Sequence, residues 1–130
     1  KELPYREICG EHAPLCTTGI GKAILANLPP EEWLSRLPEI IPAHTPQTIT
    51  DKDRILQELQ STRERGFAID NCEHELNVRC VGVPVYNARG ALVAGISSSG
   101  AVQVMTDRKV MECADILMGI TQRIKERLYA

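Results

Sequence analysis

The sequence predicts an α+β fold, on three observations. Residues 18 to 65 carry helix-spaced apolar residues with caps and stops between them. From Phe67 the pattern changes to short β-rich runs, two of which flank a turn as an antiparallel hairpin. The chain then closes on a long segment with apolar residues at Val110, Cys113, Ala114, Leu117, Ile120, Ile124 and Leu128, which is helical spacing again. Helices grouped around a hairpin sheet, without a repeating strand–helix alternation, define the class.

Taken in order, residues 3 to 8 (LPYREI) read as a short strand. A helix is expected over 18 to 28, capped by Thr17 or Thr18 and stopped by Pro29-Pro30. PEEWLSRL follows as a second helix, with Pro30 in its first turn and acids just behind it. Residues 38 to 50 hold three prolines and read as an irregular connection. Asp51 caps the next helix, Ile55, Leu56, Leu59 and Thr62 share its inner face, and Gly66 ends it. FAIDNCE, RCVGVPVY and ALVAGISSS are the strands, the last two joined by Asn87-Ala88-Arg89-Gly90. The final helix runs from Thr106 to Leu128.

The 130 residues suffice for one domain, and 43% hydrophobic content supports a core. A net charge of -2 lacks the basic stripe of a nucleic-acid grip. No apolar run of about 18 residues is present to span a bilayer, and no signal peptide opens the chain. The start, KELPYREICG, has no initiator Met and suggests an excised fragment. Five cysteines do not close into disulfide pairs, so reduced thiols in a cytoplasm are expected. Cys113 falls on the apolar stripe of the last helix and is expected to pack there.

A four-residue turn pairs Tyr86 with Ala91, which sets Cys80 opposite Ser97, Gly82 opposite Gly95 and Pro84 opposite Val93. Ser99 then shares a face with Ser97, and Val81, Val83, Val85, Leu92, Ala94 and Ile96 form the core face. Paired glycines beside a thiol and two hydroxyls make a floor for a small ligand, or else mark close backbone approach. GIGK at 19 to 22 lacks the spacing of a phosphate loop, but a helix start there offers the N–H groups of Gly19 and Ile20 to an anion.

Several motifs stand in a joint order: G-x-x-x-PL and GKA-x-LA between Gly10 and Ala26, Thr48-Ile49-Thr50, RERGFAID, Glu73 with Cys80, Pro84-Val85 and ISSSG. In that order the chain resembles the effector-binding domain of the isocitrate lyase regulator (IclR) family of bacterial transcription factors. The match runs from about Gly10 to Gly100, with the last helix also in place. The resemblance implies a GAF-like domain over residues 1–130, expected to lack its opening helix and first strands, with a winged helix-turn-helix absent from this chain. It implies a sensor of a small organic, sugar or aromatic acid in a cytoplasmic repressor or activator, most plausibly a repressor of a catabolic operon. It further implies operator DNA bound through the absent domain, dimers or tetramers, no enzyme activity, no cofactor and no membrane. Carried over residue by residue, the effector positions are Gly19, Ile20, Asp70, Cys80, Ser97 and Ser99. Cys72 stands where many relatives carry an acid, and its role stays open.

Three rival readings remain. CGEHAPLC and CEHELNVRC hold Cys9, His12, Cys16, Cys72, His74 and Cys80, a metal-ligand vocabulary without the tight CxxC pairs of structural zinc. Cys80 with His74 or His44 would make a cysteine nucleophile only if the histidine were oriented and the thiol pKa lowered. The apolar last helix alone would serve a ligand-free dimerisation module.

Overall fold

The computed structural model describes Gly10 and residues 12–129. The strand expected at 3 to 8 lies outside the described residues. Helix α1 spans Gly19–Ala26, and the Thr18 hydroxyl caps it by accepting from the Gly21 N–H at 3.0 Å. The second expected helix is a 3-10 turn, Pro30–Glu32, followed by a single α-turn, α2, at Trp33–Arg36. Residues 38 to 50 form no helix or strand. Helix α3, Lys52–Arg65, starts at the Asp51 cap and ends at Gly66, whose φ of 91° is the left-handed conformation glycine supplies. Helix α4 spans Asp107–Arg127 behind the Thr106 cap.

Strands β1 (Ala68–Asn71), β2 (Val78–Tyr86) and β3 (Leu92–Ala101) form one antiparallel sheet in the order β1-β2-β3. The expected hairpin register is displaced. Cys80 lies opposite Ser99, Gly82 opposite Ser97 and Pro84 opposite Gly95, so the pairs Cys80–Ser97, Gly82–Gly95 and Pro84–Val93 do not form. Two local features cause this. Tyr86 pairs with Leu92 rather than Ala91, because Asn87 closes a longer loop: its Oδ1 accepts from the N–H groups of Arg89 and Ala91, both at 3.0 Å. Val85 then pairs with Ala94, leaving Val93 as a bulge residue, 47% exposed. Each feature shifts the register by one residue. Together they shift it by two, and a shift of two preserves which side chains share a face.

The sheet therefore keeps one apolar face. Phe67, Val81 and Val83 pack there with Met105, Val110, Ala114 and Leu117, and Ile69, Ile96 and Cys113 add partly buried contacts. Ala94 and Leu92 do not join this core, because the bulge takes the start of β3 to the surface. A second cluster, Leu25, Ala26, Trp33, Leu37, Ile41, Ile55 and Leu59 with Cys16, binds α1, α2 and α3 together. Helix α1 lies between that cluster and the second face of the sheet. The irregular connection is tied down by two hydroxyls: Thr45 donates to the Cys72 carbonyl at 2.5 Å and Thr48 to that of Glu73 at 2.6 Å.

Candidate functional site

The second sheet face presents two cross-strand rows, Asp70–Cys80–Ser99 and Ala68–Gly82–Ser97. Asp70 is buried, Cys80 half-buried, and Ser97 and Ser99 exposed on β3. The Ser99 hydroxyl donates to the Cys80 sulfur at 3.0 Å. Five of the candidate positions thus converge despite the displaced register: Asp70, Cys80, Ser97 and Ser99 on the sheet, with Gly19 above them.

The glycines do not leave an open floor. A Cβ on Gly82 would stand 2.2 Å from the Gly19 carbonyl oxygen, and one on Gly95 would stand 2.8 Å from Ile20 Cγ1. Their small size lets α1 rest directly on the sheet, which is the close-approach alternative. Gly19 in turn lies against Cys80, with 3.3 Å from its Cβ position to the Cys80 Cβ. Gly21 and Lys22 donate to the Thr18 hydroxyl and carbonyl, so the Gly19 and Ile20 N–H groups are those without a partner among the described residues.

Three charged residues support the row. Lys22 is fully buried, and its Nζ lies 3.0 Å from each carboxylate oxygen of Glu73, 3.5 Å from Glu58, and in hydrogen-bond contact with the Ile69 carbonyl. Neither Lys22 nor Glu73 is among the six candidate positions. A lone lysine inside the apolar run GIGKAILA was the available signal, since a buried ammonium requires a partner. Asp70 accepts from the Glu73 N–H at 2.8 Å, and Glu73 accepts from the Asn71 N–H at 2.9 Å. Burial raises the pKa of Asp70, opposed by the Glu73 N–H and Lys22. Burial likewise raises that of Glu73, opposed first by Lys22. The loop turns at Cys72, held at φ 56° with its carbonyl on Thr45, so this cysteine is a buried bend residue.

The Cys80 thiol is pushed up to about 11, chiefly by burial, against the Ser99 hydrogen bond and with Asp70 adding to the rise. A thiol so far from thiolate is a poor nucleophile. Its neighbours are a hydroxyl and a carboxyl rather than an oriented imidazole: His74 is 3.4 Å from the Thr17 hydroxyl and packs edge-on against His44. Among the described residues no cluster of three or more His, Cys, Asp or Glu side chains could hold a metal. Cys9 lies outside the described residues. A cleft of about 300 Å³ sits beside the N-terminus of α1, but it is lined by Pro14, Leu15, Cys16, Thr17, Arg36, Pro38, Pro42 and His44 and by none of the six candidate positions.

Comparison with known proteins defines the class. The family model described as bacterial transcriptional regulator IclR C-terminal matches residues 2–126. The HTH-type transcriptional repressor AllR of Escherichia coli K12 is 30% identical over 120 residues, covering 92% of this chain and 44% of AllR. The crystal structure of the Thermotoga maritima IclR superposes with a TM-score of 0.89 at 36% identity, over 100% of this chain and 53% of that one. The inducer-binding domain of the Acinetobacter PobR transcription factor, solved as a double mutant with 3-hydroxybenzoic acid, superposes with a TM-score of 0.82 at 25% identity, over 89% of this chain and 67% of that one. The fold is that of a transcription-factor sensing domain, and these relatives are regulators rather than enzymes. The chain belongs to the IclR family, within its C-terminal domain, and spans less than half the length of AllR.

Proposed function

We propose that this chain senses a small organic, sugar or aromatic acid for a cytoplasmic DNA-binding repressor of a catabolic operon. The positions assigned to the effector are Gly19, Ile20, Asp70, Cys80, Ser97 and Ser99. The observation that supports this most is the meeting of two unpartnered helix-start N–H groups with two cross-strand rows that each end in an exposed serine. A carboxylate at Gly19 and Ile20 gains from the free N–H groups and the helix dipole. Ser97 and Ser99 donate to the ligand, the thiol of Cys80 donates weakly, and Asp70 accepts from a ligand hydroxyl. The acid bound by the PobR domain carries both a carboxylate and a hydroxyl, as this arrangement requires. Operator DNA is bound through a winged helix-turn-helix outside this chain, in a dimer or tetramer. The exposed Met111 and Ile116 of α4 are the self-association surface. Effector binding biases the packing of these parts and so couples to DNA affinity.

The test is a thermal-shift screen of such acids, followed by titration of the best ligand into Ser97→Ala/Ser99→Ala. Loss of two hydroxyl contacts is expected to weaken binding by roughly tenfold to a hundredfold with the fold intact. Parent-like affinity in the double variant removes both serines from the site. Ile96→Asp, which puts a charge among Val81, Val83 and Val110, is the control that should unfold the domain.

A further inference from the structure

The cleft beside the N-terminus of α1 is lined by none of the six candidate positions. Three of its eight lining residues are prolines, and Leu15 and Cys16 extend the apolar wall. Proline fixes φ, so Pro14, Pro38 and Pro42 restrict the backbone of the walls and lower the ordering cost of binding there. At about 300 Å³ the cleft stands at the lower end of ligand pockets, which suits one ring rather than a fused system. Its lining is mostly apolar, and Thr17, Arg36 and His44 are the residues in it that carry polar side chains. Arg36 ends α2 and is held only by Glu32 at 3.9 Å, with both side chains nearly half exposed. So long and exposed a pair is weak and readily exchanged for another carboxylate. A guanidinium presents a planar fork that matches a carboxylate with two parallel hydrogen bonds.

We infer that this cleft binds a small apolar monocarboxylate, its ring against the proline walls and its carboxylate on Arg36. One guanidinium balances one charge, which favours a carboxylate over a doubly charged phosphate. The site is separate from the Asp70–Cys80–Ser99 row, and the inference stands whether or not that row binds an acid. The two share a boundary: Thr17 precedes the Thr18 cap of α1, and His44 packs on His74 with ring centroids 5.0 Å apart, in the loop that follows Asp70.

The probe is benzoate, titrated into the chain and followed by backbone amide resonances. Shifts are expected at Leu15, Thr17, Arg36 and His44, and they are expected to persist in Ser97→Ala/Ser99→Ala, whatever benzoate does at the serine row. Arg36→Gln, a change at an exposed position, should weaken this binding by about fivefold or more, and benzyl alcohol should bind more weakly than benzoate by a similar factor. Ser97→Ala/Ser99→Ala should leave benzoate affinity at the cleft unchanged, which separates failure here from failure of the effector assignment. The inference is overturned by any of three results: no shifts at Leu15, Thr17, Arg36 and His44 while other residues respond, equal affinity at the cleft in Arg36→Gln and parent, or benzyl alcohol binding there as tightly as benzoate. Absence of benzoate shifts at millimolar concentration overturns it as well.

Discussion

Replacing Lys22 with methionine keeps an unbranched side chain, one atom shorter, and removes its charge. In the parent, the ammonium sits between both oxygens of Glu73 at 3.0 Å and the Ile69 carbonyl, with no solvent contact. The variant leaves the Ile69 carbonyl without this donor and Glu73 as a buried carboxylate supported only by the Asn71 N–H. Glu58 is less affected, because Arg65 holds it at 3.1 Å. Breaking one side of a buried pair costs about 3–5 kcal/mol, or roughly 10 °C or more in Tm for a domain of this size. Urea denaturation at several pH values is the assay. Burial already raises the Glu73 pKa above its ordinary 4.5 and Lys22 opposes that rise, so removing Lys22 raises it further. A folded state that holds its proton more tightly than the unfolded chain loses stability as pH rises above the unfolded value. The deficit of Lys22→Met should therefore be small near pH 4.5 and grow toward neutrality. Lys22→Met/Glu73→Gln should recover much of it, since the carboxamide removes the buried charge and still accepts from Asn71. A single variant that loses less than about 1 kcal/mol at pH 7.5 would refute this account. So would a deficit that does not change with pH, or a double variant no better than the single.

Gly82→Ala should destabilise by roughly 1–3 kcal/mol or more in urea melts, because its Cβ meets the backbone of Gly19 rather than a movable side chain. Gly119→Ala is the opposite case: nothing lies within 4 Å of the added methyl, and a mid-helix alanine should stabilise by up to about 1 kcal/mol. The Cys80 thiol should alkylate slowly at pH 8, its rate rising toward pH 11, and a fast reaction assigned to Cys80 by peptide mapping would contradict its burial. Asp70→Asn should reduce the stability lost between about pH 4 and 7, because the raised pKa of Asp70 makes its ionisation costly in the fold while an amide oxygen can still accept from Glu73.

The helices were legible because their signals are local. Thr18, Asp51 and Gly66 each act within one turn of the residue they cap or stop, and each does so in the structure. The hairpin faces were legible for a similar reason, since period-two alternation survives any even shift of register. The register itself was not. It depends on the Asn87 side chain closing its loop and on a bulge at Val93, neither of which the alternation of β2 and β3 encodes. The partner of Lys22 was equally hidden, because Glu73 lies 51 residues away in sequence.

The same segment supplies both the anchor of α1 and its candidate binding groups, and this explains why GIGK reads ambiguously. Gly19 allows the helix to rest on Cys80 and Gly82, and Lys22, one turn on, fastens it to the end of β1 through Ile69 and Glu73. Ile20, between them, fills the space above Gly95. Fixing the helix at these points determines where the Gly19 and Ile20 N–H groups stand relative to Asp70 and Cys80. The lysine of GIGK is thus an internal counter-charge. The glycines that looked like a vacant floor are the surface on which the helix sits. Any anion at this helix start would meet backbone N–H groups held in place by Lys22, while the Lys22 charge itself is already satisfied by Glu73. On the proposed assignment, selectivity among acids would come from the side chains beside the helix start, where Asp70 is buried and the two serines are exposed.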